Sequence, residues 1–373
     1  MSLFSTLGRA DPTPWLLAAD EPAARWVTLT RLCGVAEDAP EALAMREAVV
    51  RDPGTQALLA LLPDWEADNG VIGHDKPLLA TNLLDLLGEM GMREADDPRI
   101  GKLLDQFLMH TDEDGRFQMF AVERGNDTPR WAALLCDAHA IADVLLRFGR
   151  GGDPRVHRAL ETAVADLVET EQGLAWPCRP PTGDRWRGPG RARDCCPQTT
   201  LEALRAFSRL PRGERPRKLA EVARTVLGVW RSRATQKPYM FGHGRQFKQV
   251  KWPPTWYGAN EVVDTLGRLP EVWDGPDAPS DDRASLAEIA ACLLAYNVSP
   301  DGTVTPLSAF QSFEAFSFGQ KKRPSPFATA FVWATLERLE PIVEQIAAVD
   351  VTALGSSKGG TGAPLPPKVV GST

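Results

Sequence analysis

At 373 residues the chain has room for one large domain or two. Its 43% hydrophobic and 24% charged content excludes a largely disordered protein and allows a sizeable core. A formal net charge of −7 argues against a general nucleic-acid binder, and no apolar run approaches the roughly 20 residues needed to span a bilayer.

Met1-Ser2-Leu3-Phe4-Ser5 lacks the basic region and apolar run of a secretory leader. The six cysteines are not evenly spaced. They read as reduced thiols of a cytoplasmic protein rather than as a disulfide framework. Trp is plentiful at 11 against 3 Tyr, so indoles either fill the core or line an apolar pocket.

In chain order, the sequence predicts helix after helix with little period-two alternation. Glu21 to Gly34 reads as a short helix closed by Gly. Ala42–Leu62 follows, broken near Pro53-Gly54, and then the strongly apolar Leu78–Met90. Asp97-Pro98-Arg99-Ile100 opens a helix to about His110 that meets Asp114-Gly115-Arg116-Phe117. Asp153-Pro154-Arg155-Val156 opens another to about Glu171 that meets Gln172-Gly173-Leu174-Ala175-Trp176. A weaker echo runs from Ser285–Asn297 into Asp301-Gly302-Thr303-Val304. Asp before Pro is a helix cap with Pro at the first helical position, and Gly closes the helix and starts a turn.

More apolar helices alternate with these, at about Trp131–Phe148, Pro197–Leu210, Trp256–Leu269 and Phe327–Leu339. Arg217–Trp230 and a last helix near Pro341–Val349 join the first set. Two interleaved sets with a period of roughly 50–60 residues define a repeat architecture. The expectation is an all-α fold of about six helical hairpins, with inner helices around a cavity, as a single domain over 1–350. The Gly-, Ser- and Pro-rich residues 351–373 read as a flexible tail.

One stretch concentrates polar chemistry: Arg193-Asp194-Cys195-Cys196-Pro197 feeding the helix at Pro197. A carboxylate there can accept free helix amides, and a thiol at a helix start has its thiolate favoured by the helix dipole.

With its paired-helix repeat, its Gly-plus-aromatic turns and its opening Asp11-Pro12-Thr13-Pro14-Trp15-Leu16-Leu17, the sequence resembles the α/α toroid superfamily over about residues 10–345. That superfamily holds the terpene cyclases and the protein prenyltransferase β-subunits, and the resemblance is nearest to its small single-domain bacterial toroids. It implies a cyclase or prenyltransferase-like enzyme with an isoprenoid-like substrate in a central cavity. The class II Asp-x-Asp-Asp motif is missing: Asp281-Asp282 lacks the upstream acid and Asp112-Glu113-Asp114 has the wrong order. Asp96-Asp97 lacks the third acid of the class I motif. Asp194-Cys195-Cys196 matches the Asp-x-Cys zinc ligands of prenyltransferases, but the expected His does not start the next inner helix, and His243 lies in the loop before it.

From the residues themselves, Cys136 and His139 are three apart and share a helix face. With Asp194 and Cys196 they make a tetrahedral zinc set. Otherwise Cys136 is core filler and His139 bonds Asp143. Asp137 starts the same helix. Trp256 with Asn260, and Tyr257 with Glu261, are i,i+4 pairs. A Glu261 aimed into an aromatic cavity would have its pKa raised by desolvation and act as a general acid. Asn82 is a similar polar helix start.

Two basic loops, one with Arg179, Arg185, Arg187, Arg191 and Arg193, the other with Arg231, Arg233, Lys237, Arg245, Lys248 and Lys251, either rim the cavity as a diphosphate or carboxylate site or are solvated. The expected set is therefore Glu261 and Asp137 as acids; Trp256, Tyr257, Asn260, Asn82, Arg187 and Arg193 on the substrate; and zinc as the one cofactor. The rival readings are a glycan-active barrel with paired carboxylates drawn from Asp137, Asp194 and Glu261, and a non-catalytic helical scaffold.

Overall fold

The computed structural model describes residues 2–66, 76–121, 128–182, 190–275 and 278–354. The tail beyond 354, Arg185 and Arg187 lie outside them. The protein is mostly helical. The main helices are α1 (Pro22–Val27, continued by a π turn Thr28–Leu32), α2 (Pro40–Arg51), α3 (Pro53–Ala60), α4 (Ala80–Glu89), α5 (Pro98–Met109) and α6 (Leu135–Arg147). They continue with α7 (Pro154–Ala165), α8 (Pro197–Ser208), α9 (Leu219–Arg231), α10 (Ala259–Gly267), α11 (Ser280–Asn297) and α12 (Pro326–Glu337).

The predicted starts hold where the caps are local. Asp97 and Asp153 each accept the backbone N–H two residues on, and the following Pro opens α5 and α7. Asp52 ends α2 and caps α3, so the break falls at Pro53. Three predicted starts and one end shift. Residues 130–132 leave the helix for strand β2 (Arg130–Ala132), paired antiparallel with β1 (Met119–Ala121). α7 stops at Ala165, because 168–170 and 173–175 pair as the hairpin β3 (Val168–Thr170) and β4 (Gly173–Ala175). α10 starts at Ala259 rather than Trp256, because Gly258 is fully extended at φ −155. α11 starts earlier than predicted, at Ser280.

The Gly turns repeat as structure. Gly115, Gly173 and Gly302 all have positive φ, at 95°, 124° and 81°. Each closes an antiparallel pairing: Thr111 with Phe117, β3 with β4, and Val298 with Val304. Only glycine takes that conformation without strain. The same unit therefore recurs: a capped helix, a tight Gly turn, then a buried aromatic or aliphatic side chain entering the next helix.

Two kinds of helix result. In α8, α10 and α12 nearly every position is buried. In α5 and α7 burial follows one face. Among the first kind, α4 packs on α6, α6 on α8, α8 on α10, α10 on α12 and α12 on α1. One hydrophobic core runs through them from Leu7 to Ile346.

The C-terminal ends of these helices are tied by charge. Arg31 after α1, Arg147 of α6, Arg205 of α8, Arg209 after α8, Arg268 after α10 and Arg338 after α12 all lie at or past the last turn, where a cation suits the helix dipole. They meet buried or half-buried acids. Glu89, the last residue of α4, pairs with Arg31, Arg147 and Arg268. Asp264 pairs with Arg268 at 3.0 Å and Arg338 at 2.7 Å. Asp143 pairs with Arg209 at 2.6 Å, and Asp85 with Arg147 at 3.1 Å and Arg205 at 3.3 Å. Burial alone would raise the Glu89 pKa, but the Arg147, Arg31 and Arg268 cations outweigh it and hold the carboxyl well below its usual range.

Candidate functional site

The other side of the same helix set holds a cavity of about 880 Å³. Asp194, Cys195 and Cys196 line it from the start of α8, Asn260 and Glu261 from the start of α10, and Cys136 from the start of α6. Phe241, Phe247, Trp256, Tyr257 and Phe310 supply aromatic wall. Tyr239, Met240 and Leu307, all exposed, mark the mouth. Met240 has a positive φ of 75°, a strained state for a non-glycine residue that holds its side chain at the opening.

Glu261 is the third residue of α10, next to the extended Gly258. Its carboxyl folds back over that glycine: a Cβ placed on Gly258 would lie 2.6 Å from Glu261 Oε2. Asn260 Nδ2 donates to Oε1 at 3.1 Å. Burial is the largest influence and pushes the Glu261 pKa up to about 7, against the smaller opposing effect of the Asn260 bond. The helix N-terminus favours the anion as well, and desolvation still wins. The group can therefore hold a proton near neutral pH.

Behind Glu261 lies a small polar chamber of about 30 Å³, also lined by Asn82, Asp85, Glu202 and Arg205. Gln198 joins the two spaces: its Oε1 accepts from Tyr257 N at 2.7 Å and its Nε2 donates to Glu202 at 2.7 Å.

Trp256 stacks on Phe241 with centroids 5.7 Å apart. Tyr257 Oη and His243 Nε2 share a hydrogen bond of 3.0 Å. His243 is fully buried, and its pKa falls to about 3 through burial, with Arg233, Lys237 and Lys248 adding repulsion. Because 253–258 is loop and not helix, the expected i,i+4 faces of Trp256 and Tyr257 do not form. Both side chains reach the cavity from the loop instead.

The expected zinc set does not assemble. Among the described residues no group of three or more His, Cys, Asp and Glu side chains is arranged to hold a metal. His139 turns away from the cavity: its Nδ1 lies 3.3 Å from Thr199 O and its ring meets Trp176 edge-on at 5.5 Å. Burial lowers its pKa to about 4. Nor does it bond Asp143, which is taken by Arg209. Asp194 accepts from Gln172 Nε2 at 3.2 Å and Tyr239 N at 3.0 Å, so it ties the Gln172 turn to the mouth loop. Cys136 and Cys196 do share the cavity wall, with Cys178 between the hairpin and α8.

Asp137 is buried, accepts from the Cys136 thiol at 3.7 Å and is not among the residues lining the cavity. Asn82 donates to Lys76 O at 2.8 Å and faces only the small chamber. Arg193 pairs with Glu171 at 2.9 Å and is off the wall.

The basic loops divide. Arg245 and Lys251 line the cavity, where Lys76 from before α4 joins them, and Arg191 lies over the Tyr239 ring. Arg231 pairs with Asp282 at 2.7 Å, and Lys248 is buried over Tyr296. Gln198, Cys178 and Phe241 are site residues that the sequence reading missed. Only Gln198, a polar residue in the first turn of an apolar helix, gave a signal that could have found it.

Comparison with protein-family models, with curated proteins and with solved structures gives no match. Among the described residues no helix is long and apolar enough to cross a membrane.

Proposed function

We propose that the chain is an α/α toroid enzyme that binds an apolar, isoprenoid-like substrate in its cavity and protonates it from Glu261. The toroid reading is supported by the succession α4–α6–α8–α10–α12–α1. It is also supported by the Arg31–Glu89 pair and by the approach of Gly91 to Trp26, which bring α1 back towards α4. The reaction class rests on one observation: a carboxyl with its pKa pushed up to about 7 in an aromatic-walled space of about 880 Å³. A general acid works best when its pKa is near the operating pH. Aromatic faces suit the cationic centre that protonating an alkene creates. Lys76, Arg245 and Lys251 would receive an anionic end of the substrate by charge.

A glycan-active barrel needs a second free carboxylate beside Glu261. Asp194 is engaged by Gln172 and Tyr239, and Asp137 is off the wall, so this reading has less support. Purified protein is incubated with a panel of linear prenyl alcohols, acids and diphosphates, and products are followed by gas chromatography with mass detection. Turnover in the wild type that is lost in Glu261→Gln, with substrate binding kept by calorimetry, is the expected result. Binding without turnover anywhere in the panel returns the protein to the scaffold reading.

A further inference from the structure

The thiols of the cavity wall have no part in the acid chemistry above. Cys136, Cys178 and Cys196 line one cavity as free thiols. Two of them are brought together by backbone pairing. Cys196 N donates to Trp176 O at 2.9 Å, so the chain entering α8 lies beside the chain leaving β4, and Cys178 is two residues past Trp176. The Cys196 side chain is hydrogen-bonded to Cys178. Gly190 packs directly on Cys178, since a Cβ there would lie 3.1 Å from Cys178 Cβ.

The two sulfurs are unequal. Cys196 is buried and Cys178 is partly exposed. The bond to Cys178 and then burial raise the Cys196 pKa well above the ordinary thiol value, so Cys196 keeps its proton. Cys178, partly exposed on the cavity wall, is the sulfur that a peroxide in the cavity can reach. This is the asymmetry of an attacking thiol and its resolving partner.

We propose that Cys178 and Cys196 form a redox-active dithiol, oxidised to a disulfide by hydroperoxides that enter through the cavity. Cys178 loses its proton to solvent, and its thiolate attacks the terminal peroxide oxygen. The O–O bond breaks, leaving Cys178 as the sulfenic acid, and the departing alkoxide takes up a proton to become an alcohol. The Cys196 sulfur then attacks the Cys178 sulfur. The S–O bond breaks, and hydroxide leaves with the Cys196 proton as water. Two thiols and one hydroperoxide give one disulfide, one alcohol and one water, with both electrons passing to the peroxide. The proposal uses only the thiol wall, so it is independent of the role of Glu261.

The test uses the full chain carrying Cys33→Ser, which removes the exposed thiol. Samples are treated with hydrogen peroxide or with cumene hydroperoxide at equal concentration, alkylated, digested without reduction and read by mass spectrometry. The expected product is one peptide pair joined through Cys178 and Cys196, lighter by two hydrogens. It should persist in Cys195→Ser and vanish in Cys178→Ser and in Cys196→Ser. The aromatic wall should make cumene hydroperoxide the faster oxidant. A linkage that survives Cys178→Ser, or oxidation that stops at separate oxygenated cysteines, overturns the dithiol. Equal or slower reaction with cumene hydroperoxide overturns the route through the cavity.

Discussion

Glu89, buried, and Glu261, half-buried, are glutamates on buried helices, and they behave in opposite ways. Glu261, at the start of α10, has amide donors from Asn260 and its own backbone but no cation within bonding distance among the described residues, so desolvation pushes its pKa up to about 7. Glu89, at the end of α4, is ringed by Arg31, Arg147 and Arg268, which hold it well below the carboxylate range. Desolvation is common to both, and the neighbours set the sign. The helix ends with the arginines form an ionic floor. The helix starts form the cavity wall, where Glu261 has no paired cation among the described residues. Structural and chemical acids are thus told apart by partners rather than by depth.

The largest effect should come from breaking the floor. Glu89→Gln leaves three half-buried guanidinium groups around a buried site short of a charge, and removing one partner of a buried network costs about 3–5 kcal/mol. Urea unfolding at pH 7 reads this directly. Because the folded pKa of Glu89 is depressed, its contribution is present above the unfolded value of about 4.3 and is lost as pH falls through the folded value. The stability gap between wild type and Glu89→Gln should therefore close at strongly acid pH. A loss under about 1 kcal/mol at pH 7 would mean that the network adds little beyond its own desolvation cost.

Glu261→Gln should give the mirror-image profile. A raised carboxyl pKa stabilises the fold below the unfolded value, and that contribution drains away as pH rises from about 4.3 to about 7. Wild type and variant should match near pH 4. At pH 8.5 the variant should be more stable by on the order of 2 kcal/mol, a figure discounted for water in the cavity. Parallel curves would show that Glu261 is compensated as Glu89 is. Gly258→Ala should shift the carboxyl that crowds it and flatten the same profile.

Asp194 belongs to neither group, and its variant separates support from chemistry. Its oxygens accept from Gln172 and Tyr239, so Asp194→Ala should cost about 1–2 kcal/mol. It should also expose the 239–241 mouth loop to proteolysis. A variant with unchanged stability and unchanged cleavage would free Asp194 for a catalytic part.

The helix pattern and much of the wall were legible because their causes are local. Asp97-Pro98, Asp153-Pro154 and the glycines at 115, 173 and 302 work within a few residues, and they mark helix starts and turns correctly. Asp194, Cys196, Asn260 and Glu261 stand out in the sequence as polar residues at the start of apolar helices, and all four line the cavity. His139 was misplaced because helical spacing says which residues share a face and not which neighbour that face meets; here it meets Thr199 and Trp176. The ionic floor was invisible for the same reason. Arg268 and Glu89 are 179 residues apart, and each alone reads as a solvated terminal charge.

The smallest effect sharpens the contrast most cleanly, because it involves a cavity polar group that does not titrate near neutrality. Burial raises the Tyr257 phenol pKa and lowers that of His243 to about 3, so both are neutral across the working range and their 3.0 Å bond carries no net charge. Tyr257→Phe removes one neutral hydrogen bond and leaves a buried imidazole nitrogen bare, a loss of about 1 kcal/mol. For His243 the depressed pKa means that stability falls as pH drops below the unfolded value of about 6.5, because the unfolded chain takes up the proton first. That limb comes chiefly from burial, so it should appear equally in wild type and Tyr257→Phe, and their urea midpoints should run parallel from pH 5 to 9. If they instead converge or diverge, the Tyr257 hydroxyl sets the charge state of His243, and the helix-start side of the molecule then holds a second titrating centre beside Glu261.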